Sequence, residues 1–213
     1  MAFLNDAVAT AITVFTRLVT GAQARWIGCG PQAKQRVYFG NHSSHADFAL
    51  IWASLPSDLR VRTRPVAGAD YWGKGRIRKY LINEVLRGVL VDRKSGGTHA
   101  GESALDVLLT ALDGGDSLII FPEGTRNTTD EILLPFKSGL YHLANKRREI
   151  EFVPVWLENL GRVLPKGEII PLPLLCSINF GTPMRLNGEE TKPAFLERSR
   201  KALLDLAQFA RPK

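Results

Sequence analysis

The sequence places His42 five residues before Asp47, directly after a β-rich run that ends at Gly40. On one continuous helix the two side chains would lie about 140° apart, so they can meet only if residues 42–44 form a turn. Asp47, in the first helical turn, could then accept the imidazole Nδ1–H and leave Nε2 free as a general base. We therefore predict His42 and Asp47 as a catalytic pair.

A second histidine, His45, offers an alternative use of the same segment. It stands two residues from Asp47, and side chains at that spacing on a helix do not face each other. Histidine-rich turns are also typical of metal sites, so His42, His45 and Asp47 could instead be ligands of a metal-dependent hydrolase. Spacing alone leaves both interpretations open.

Asp92 and Arg93 follow another apolar run, which begins at Gly88. The planar guanidinium of Arg93 suits a phosphate group. A structural alternative is that Arg93 pairs with its neighbour Asp92 at the end of the strand. The sequence does not decide between these two uses.

A string of potential anion ligands, Glu123 to Arg126, follows the predicted strand over 117–121. Gly124 permits a tight turn with exposed backbone N–H groups, and Thr125 and Arg126 add further donors. Glu123 could bind an acceptor hydroxyl or hold Arg126 in place. Lys137, at the start of a predicted helix, could face the same cleft.

Several common catalytic motifs are missing from the sequence. There is no G-x-S-x-G elbow, no phosphate-binding P-loop and no G-x-G-x-x-G fingerprint. Cys29 and Cys176 lie far apart, without a catalytic or metal-binding motif. A histidine base with phosphate-type donors and no nucleophile implies direct attack by a hydroxyl of the substrate.

The elements that must position these residues alternate between strands and helices. This pattern predicts an α/β, three-layer domain with a mixed, largely parallel sheet flanked by helices. Because sites in such sheets gather beyond the carboxyl ends of strands, we expect one shared cleft. The predicted strands are 36–40, 63–67, 88–92, 117–121, 152–157 and 175–181, and the predicted helices 45–54, 71–87, 98–112, 138–148 and 193–210.

An N-terminal amphipathic helix is predicted over residues 3–26, from apolar side chains at i, i+3 and i+4. We divide the chain into residues 1–30, a helix that either docks on the core or lies in a membrane surface, and 31–213, the catalytic domain. No stretch reaches the about 18–20 apolar residues that span a bilayer.

The charge balance favours polyanionic partners. Lys and Arg exceed Asp and Glu by 28 to 21, which gives a net charge of +7. Residues 71–80 interleave aromatic and basic side chains, a pattern that fits either an anionic membrane surface or an ordinary solvated face. We expect no nucleic acid as a partner, because no nucleic-acid-binding motif is present.

Four segments, in this order, resemble the motifs of the glycerolipid (lysophospholipid) acyltransferases, which include the 1-acylglycerol-3-phosphate acyltransferases. The similarity extends over about residues 36–160. It comprises His42 and Asp47 with four residues between them, the string 88–93 ending in Arg93, the string 121–126 with 136–139 beyond it, and Val153-Pro154-Val155.

The resemblance implies an O-acyltransferase in which His42 deprotonates the acceptor hydroxyl and Asp47 orients it. The implied acceptor is a lysophospholipid, most simply 1-acylglycerol 3-phosphate, and the product is phosphatidic acid. The donor would be acyl-CoA or acyl-ACP as co-substrate, without metal or cofactor. The residues implied to bind the acceptor's glycerol phosphate are Arg93, Glu123, Gly124, Thr125 and Arg126.

The implied location is the cytoplasmic face of a membrane, with peripheral or monotopic attachment to an anionic surface. A different lysophospholipid acceptor would use the same machinery. A non-catalytic lipid-binding protein is a further hypothesis, which predicts vesicle binding without turnover.

Overall fold

The computed structural model describes residues 2–21, 23–44, 46–92, 103–158 and 176–209, where seven strands form one sheet. The strand order is β1-β7-β6-β2-β5-β3-β4. Strands β6 and β7 pair antiparallel, whereas the other neighbours pair parallel. The strands are β1 (Gln23–Trp26), β2 (Arg36–Gly40), β3 (Thr63–Gly68), β4 (Val89–Val91), β5 (Ser117–Ile120), β6 (Glu151–Glu158) and β7 (Ser177–Phe180). The predicted mixed, largely parallel sheet is confirmed.

Helices cover both faces of this sheet. Side chains of β2 alternate between them, since Tyr38 packs towards one face while Val37 and Phe39 pack towards the other. The predicted three-layer architecture is therefore confirmed. The helices are α1 (Ala2–Thr20), α2 (Asp47–Ser54), α3 (Ser57–Arg60), α4 (Ala69–Trp72), α5 (Arg76–Tyr80), α6 (Ala104–Asp113), α7 (Gly139–Lys146) and α8 (Lys192–Asp205).

The predicted N-terminal helix is wrong in its last part. Helix α1 ends at Thr20, and Gly21 follows with a φ of +53°, a left-handed conformation that suits glycine at a helix end. The chain then forms strand β1, which pairs parallel with β7. Trp26 stacks on Phe180 with ring centroids 4.1 Å apart, so the extended path is stabilised by aromatic packing.

Helix α1 docks through its small and polar side chains rather than its large apolar ones. Thr13 and Thr20 are buried, and Ala9 packs against the core cluster that contains α2. Leu4, Phe15 and Leu18 point outward, and Leu18 is 78% exposed. No helix among the described residues is long and apolar enough to cross a membrane.

The single helix predicted over 71–87 is divided in the structure. Helix α4 ends before Gly73 and α5 begins after Gly75, which has a φ of +77°. Helix α5 then continues as a π-helical turn over Leu81–Val85. Two glycines in three residues explain the break, because glycine destabilises a helix interior. The predicted start of α6 at residue 98 lies outside the described residues.

Candidate active site

The carboxyl ends of β2 and β5 lie next to each other, because these strands pair parallel in the centre of the sheet. His42 follows β2, and the loop from Phe121 to Arg126 follows β5. Two segments that are about eighty residues apart in sequence therefore meet at one edge of the sheet, where α/β proteins commonly bind ligands.

His42 and Asp47 are in direct contact. The distance between His42 Nδ1 and Asp47 Oδ2 is 2.7 Å, and Asp47 is fully buried as the first residue of α2. The same oxygen accepts the backbone N–H groups of Ser43 at 2.7 Å and Ser44 at 2.9 Å. These three contacts close the turn before α2 and place Nδ1 of the imidazole against the carboxylate, an arrangement that favours the tautomer with its proton on Nδ1.

Further contacts fix the ring and the backbone of His42. The imidazole stacks on Phe121, with ring centroids 4.3 Å apart and the planes inclined by 15°. The His42 N–H donates to Glu123 Oε1 at 2.7 Å, and its carbonyl accepts the N–H of Asn127 at 2.6 Å. Among the described residues, no hydrogen-bond partner is found for Nε2 of His42. The geometry thus suits a base that is held on one side and available on the other.

A cavity of about 640 Å³ opens beside His42. It lies between the carboxyl edge of the sheet and helices α4, α6 and α7. Its lining combines polar side chains, among them His42, Asp70, Asp92, Arg126 and Lys137, with apolar ones, which include Val66, Val91, Leu108, Ile120, Leu140 and Leu143. Such a mixed lining can hold a molecule that has both a polar head and an apolar chain.

Four of the predicted anion ligands line this cavity together with His42: Gly124, Thr125, Arg126 and Lys137. Gly124 has a φ of +69°, which favours glycine. A Cβ atom there would also lie 2.7 Å from Cδ of Lys137, so the lysine side chain passes directly over the glycine. The Lys137 N–H donates to the Pro122 carbonyl at 2.8 Å, which holds the lysine segment against the loop.

Glu123 behaves differently from its neighbours in the same string. Its side chain is buried, and its oxygens accept the N–H groups of His42 at 2.7 Å and Leu134 at 2.9 Å. Burial raises the pKa of this carboxyl group, although its two backbone hydrogen bonds act in the opposite direction. The carboxylate is therefore directed at the protein's own backbone.

His45 and Arg93, both predicted as possible ligands, lie outside the described residues. The metal-site hypothesis needs His45, and the phosphate hypothesis includes Arg93, so both assignments stay predictions. Within the described ranges, no group of three or more His, Cys, Asp or Glu side chains could hold a metal ion.

Sequence reasoning missed the residues that support the histidine segment. The Asn41 side chain donates to the Leu157 carbonyl at 2.9 Å and accepts the Leu157 N–H at 2.8 Å, which continues the β2–β6 pairing by one residue. Phe121 and Asn127 were also missed as contacts of His42. Their positions in the sequence could have indicated them, because each of these residues directly follows a strand or the Glu123–Arg126 string.

Comparisons with known proteins give consistent matches. The family model described as "Acyltransferase" matches residues 29–158. A 1-acyl-sn-glycerol-3-phosphate acyltransferase of Cocos nucifera is 28% identical over 81% of this chain and 56% of its own length. The alpha form from Homo sapiens is 27% identical over 82% of this chain and 59% of its own length. The chain thus spans somewhat more than half the length of these two curated relatives.

A solved structure resembles the whole described architecture. The 1-acyl-sn-glycerophosphate (LPA) acyltransferase PlsC from Thermotoga maritima matches with a TM-score of 0.76. The match covers 98% of this chain and 83% of the other, at 20% sequence identity. At that identity the likeness establishes the fold.

Proposed function

The chain belongs to the acyltransferase family, and on this basis we propose that it transfers a fatty acyl group to the hydroxyl of a lysophospholipid. The proposed acceptor is 1-acylglycerol 3-phosphate, and the product is phosphatidic acid. One observation carries the proposal: the His42 ring is bonded to buried Asp47 and lines a cavity with cationic groups and an apolar interior. The names of the curated relatives support this acceptor.

In the proposed reaction, Nε2 of His42 removes the proton from the acceptor hydroxyl. The oxygen attacks the thioester carbonyl of acyl-CoA or acyl-ACP, and an ester C–O bond forms as the C–S bond breaks. The imidazolium then returns the proton to the departing thiolate. Asp47 stabilises the charged ring and keeps the required tautomer. This chemistry requires no metal and no cofactor besides the acyl donor.

The acceptor's phosphate is proposed to bind at the cationic side of the cavity. Arg126 and Lys137 supply positive charge, and Thr125 and the turn at Gly124 supply uncharged donors. Arg93 is proposed as a further ligand because of the motif that contains it. The apolar part of the cavity suits a fatty acyl chain, whose burial supplies binding energy of about 0.8 kcal/mol per methylene.

The decisive experiment incubates the purified protein with acyl-CoA and a panel of lysophospholipids and identifies the products by mass. We expect phosphatidic acid from lysophosphatidate, with weaker or no product from acceptors that lack a terminal phosphate. Product formation that is lost to a chelator, with stoichiometric zinc or iron in the protein, would favour the metal-dependent hydrolase. Vesicle binding without any product would favour a lipid-binding protein.

We also propose that the protein works at the cytoplasmic face of a membrane, attached through α1 and α5. Among the described side chains of α1, the apolar residues Leu4, Val14, Phe15 and Leu18 are exposed, and Leu18 is the most exposed of them. In α5, Ile77 is 76% exposed and stands between the basic residues Arg76 and Arg78. The Tyr80 hydroxyl donates to Asn5 Oδ1 at 2.8 Å, which joins the two helices into one surface.

A vesicle-binding assay tests the attachment. We expect stronger binding to anionic than to neutral vesicles, and roughly a tenfold loss of binding for Leu18→Asp, because burial of one leucine contributes about 1.5–3 kcal/mol. Val61→Asp is the matched control, since Val61 is also exposed but belongs to neither α1 nor α5. Equal binding by both variants would exclude α1 as the attachment site.

A further inference from the structure

Glu123 is the one member of the Glu123–Arg126 string that does not line the cavity. Its side chain is only 2% exposed, whereas Thr125, two residues later, is exposed. Both of its carboxylate oxygens are already engaged by backbone N–H groups of the protein. Its carboxylate is thus directed at the backbone and not into the 640 Å³ cavity, and it lines only a smaller cavity of about 180 Å³ that His42 also lines.

We propose that Glu123 is a positioning residue: its carboxylate ties the backbone of His42 to the segment Leu134–Lys137 and does not contact the acceptor. One oxygen holds the residue proposed as the base, and the other holds the segment that carries the cavity lysine. One buried side chain would therefore contribute to setting the distance between base and cation. This inference rests on the proposed acyltransfer function.

Further hydrogen bonds connect the loop after β5 to the His42 segment and to the segment Leu134–Lys137. The Asn127 N–H bonds the His42 carbonyl at 2.6 Å, so the peptide groups on either side of His42 are held by residues from the same loop. On the other side, the Pro122 carbonyl accepts the Lys137 N–H at 2.8 Å. The loop after β5 thus binds each neighbouring segment at two points, and Glu123 supplies one point to each.

The chemistry of the side chain explains why a glutamate is needed for this arrangement. An ionised carboxylate has two acceptor oxygens and no donor, which matches two N–H groups that converge from different segments. A glutamine offers one acceptor and one NH₂ group, so one of the backbone N–H groups would face another donor. An aspartate is one methylene shorter and cannot reach both segments without a shift of the backbone.

The test uses Glu123→Gln, with Glu149→Gln as a matched control, because Glu149 is an exposed glutamate in the turn before β6. We expect Glu123→Gln to lower kcat by roughly 10- to 100-fold, since small displacements of catalytic groups have effects of that size. KM for lysophosphatidate should change by less than about threefold. The relative loss should be the same for lysophospholipids with different head groups.

A spectroscopic measurement separates positioning from a loss of folded protein. The Nδ1–H proton of His42, bonded to Asp47, should give a low-field proton resonance that is identified by its absence in His42→Ala. We expect Glu123→Gln to shift or broaden this resonance, and Glu149→Gln to leave it unchanged. Since no turnover is needed, the measurement tests the positioning role even if the acyltransfer assay shows no product.

Two results would overturn the inference. A higher KM for phosphate-bearing acceptors at unchanged kcat would show that Glu123 contacts the acceptor. Unchanged kinetics together with an unchanged His42 resonance would show that the two hydrogen bonds do not position the ring. Glu123→Asp keeps the charge and is measured in the same way at low temperature if Glu123→Gln unfolds, with the same expected and contradicting results.

Discussion

Strand β2 has a cluster of charged and polar groups at each end, and the two clusters use their groups differently. At the amino end, the buried Arg36 donates to Glu151 Oε2 at 3.0 Å, to the Gly30 carbonyl at 3.1 Å and to Gln32 Oε1 at 3.3 Å. Glu151 also lies 3.4 Å from Arg185. Every interaction of this cluster is internal, and it connects β2, β6 and the segment before β2.

At the carboxyl end, the polar and charged side chains are only partly engaged by other groups of the protein. His42 is bonded through Nδ1 and its backbone, while its ring also lines the cavity. Within the described part of the chain, the side chains of Arg126 and Lys137 have no ion pair. The comparison shows that the amino-end charges are paired within the fold, whereas Arg126 and Lys137 at the carboxyl end, the cations proposed to bind a ligand, have no such pairing among the described residues.

The largest effect is expected from a change at the carboxyl end, Asp47→Asn. Either orientation of the asparagine amide removes the negative charge that stabilises the imidazolium, and an NH₂ group in the place of Oδ2 would face Nδ1 and the N–H groups of Ser43 and Ser44 without accepting from them. We expect kcat to fall by roughly 10²–10⁴-fold with folding retained. Asp58→Asn, an exposed position in α3, is the control for steady-state kinetics. A change of only a few-fold would mean that Asp47 has a purely structural role.

Arg36→Met, at the amino end, should lower the stability of the protein and leave its turnover nearly unchanged. Removing the arginine leaves the Glu151 carboxylate without its buried partner, and we expect the free energy of unfolding to fall by about 3 kcal/mol. Turnover per folded molecule should stay within about twofold of the unmodified protein. Urea unfolding and kinetics on the same preparations test this. A loss of turnover as large as that of Asp47→Asn would break the distinction between the two ends.

A smaller effect is expected from Lys137→Ala, which removes one of the cations at the cavity. KM for lysophosphatidate should rise by roughly tenfold with little change in kcat, because the lysine would bind ground state and transition state alike. Lys146→Ala, at the exposed end of α7, is the control. An equal loss with a monoacylglycerol acceptor, which lacks phosphate, would argue against a phosphate role for Lys137.

Local patterns made the central part of the fold predictable. The strand over 36–40 was predicted with the bounds that the structure gives, because the β-favouring Val37, Tyr38 and Phe39 are followed at once by the turn-forming Gly40 and Asn41. The His42–Asp47 contact could also be foreseen, since a turn of three residues before a helix is enough to form it. Both features depend on residues that are close together in the sequence.

Features that depend on distant partners were not predictable. Strand β1 pairs with β7, about 150 residues later, and its exposed residues show no strand pattern. The internal role of Glu123 requires Leu134 and His42 to converge on it, which only the folded chain brings about. The orientation of α1 follows from the packing of its small side chains on the core. The sequence does not indicate this orientation, because its large apolar residues suggest the opposite face as the buried one.

The central claim is that the imidazole at the carboxyl end of β2 removes a proton from the acceptor. Its most direct test is the turnover of His42→Ala with acyl-CoA and lysophosphatidate at saturation, corrected for the folded fraction. A general base of this kind contributes roughly 10²–10⁴-fold, and we predict a loss of that size with the melting temperature and vesicle binding retained. Turnover close to that of the unmodified protein would contradict the account.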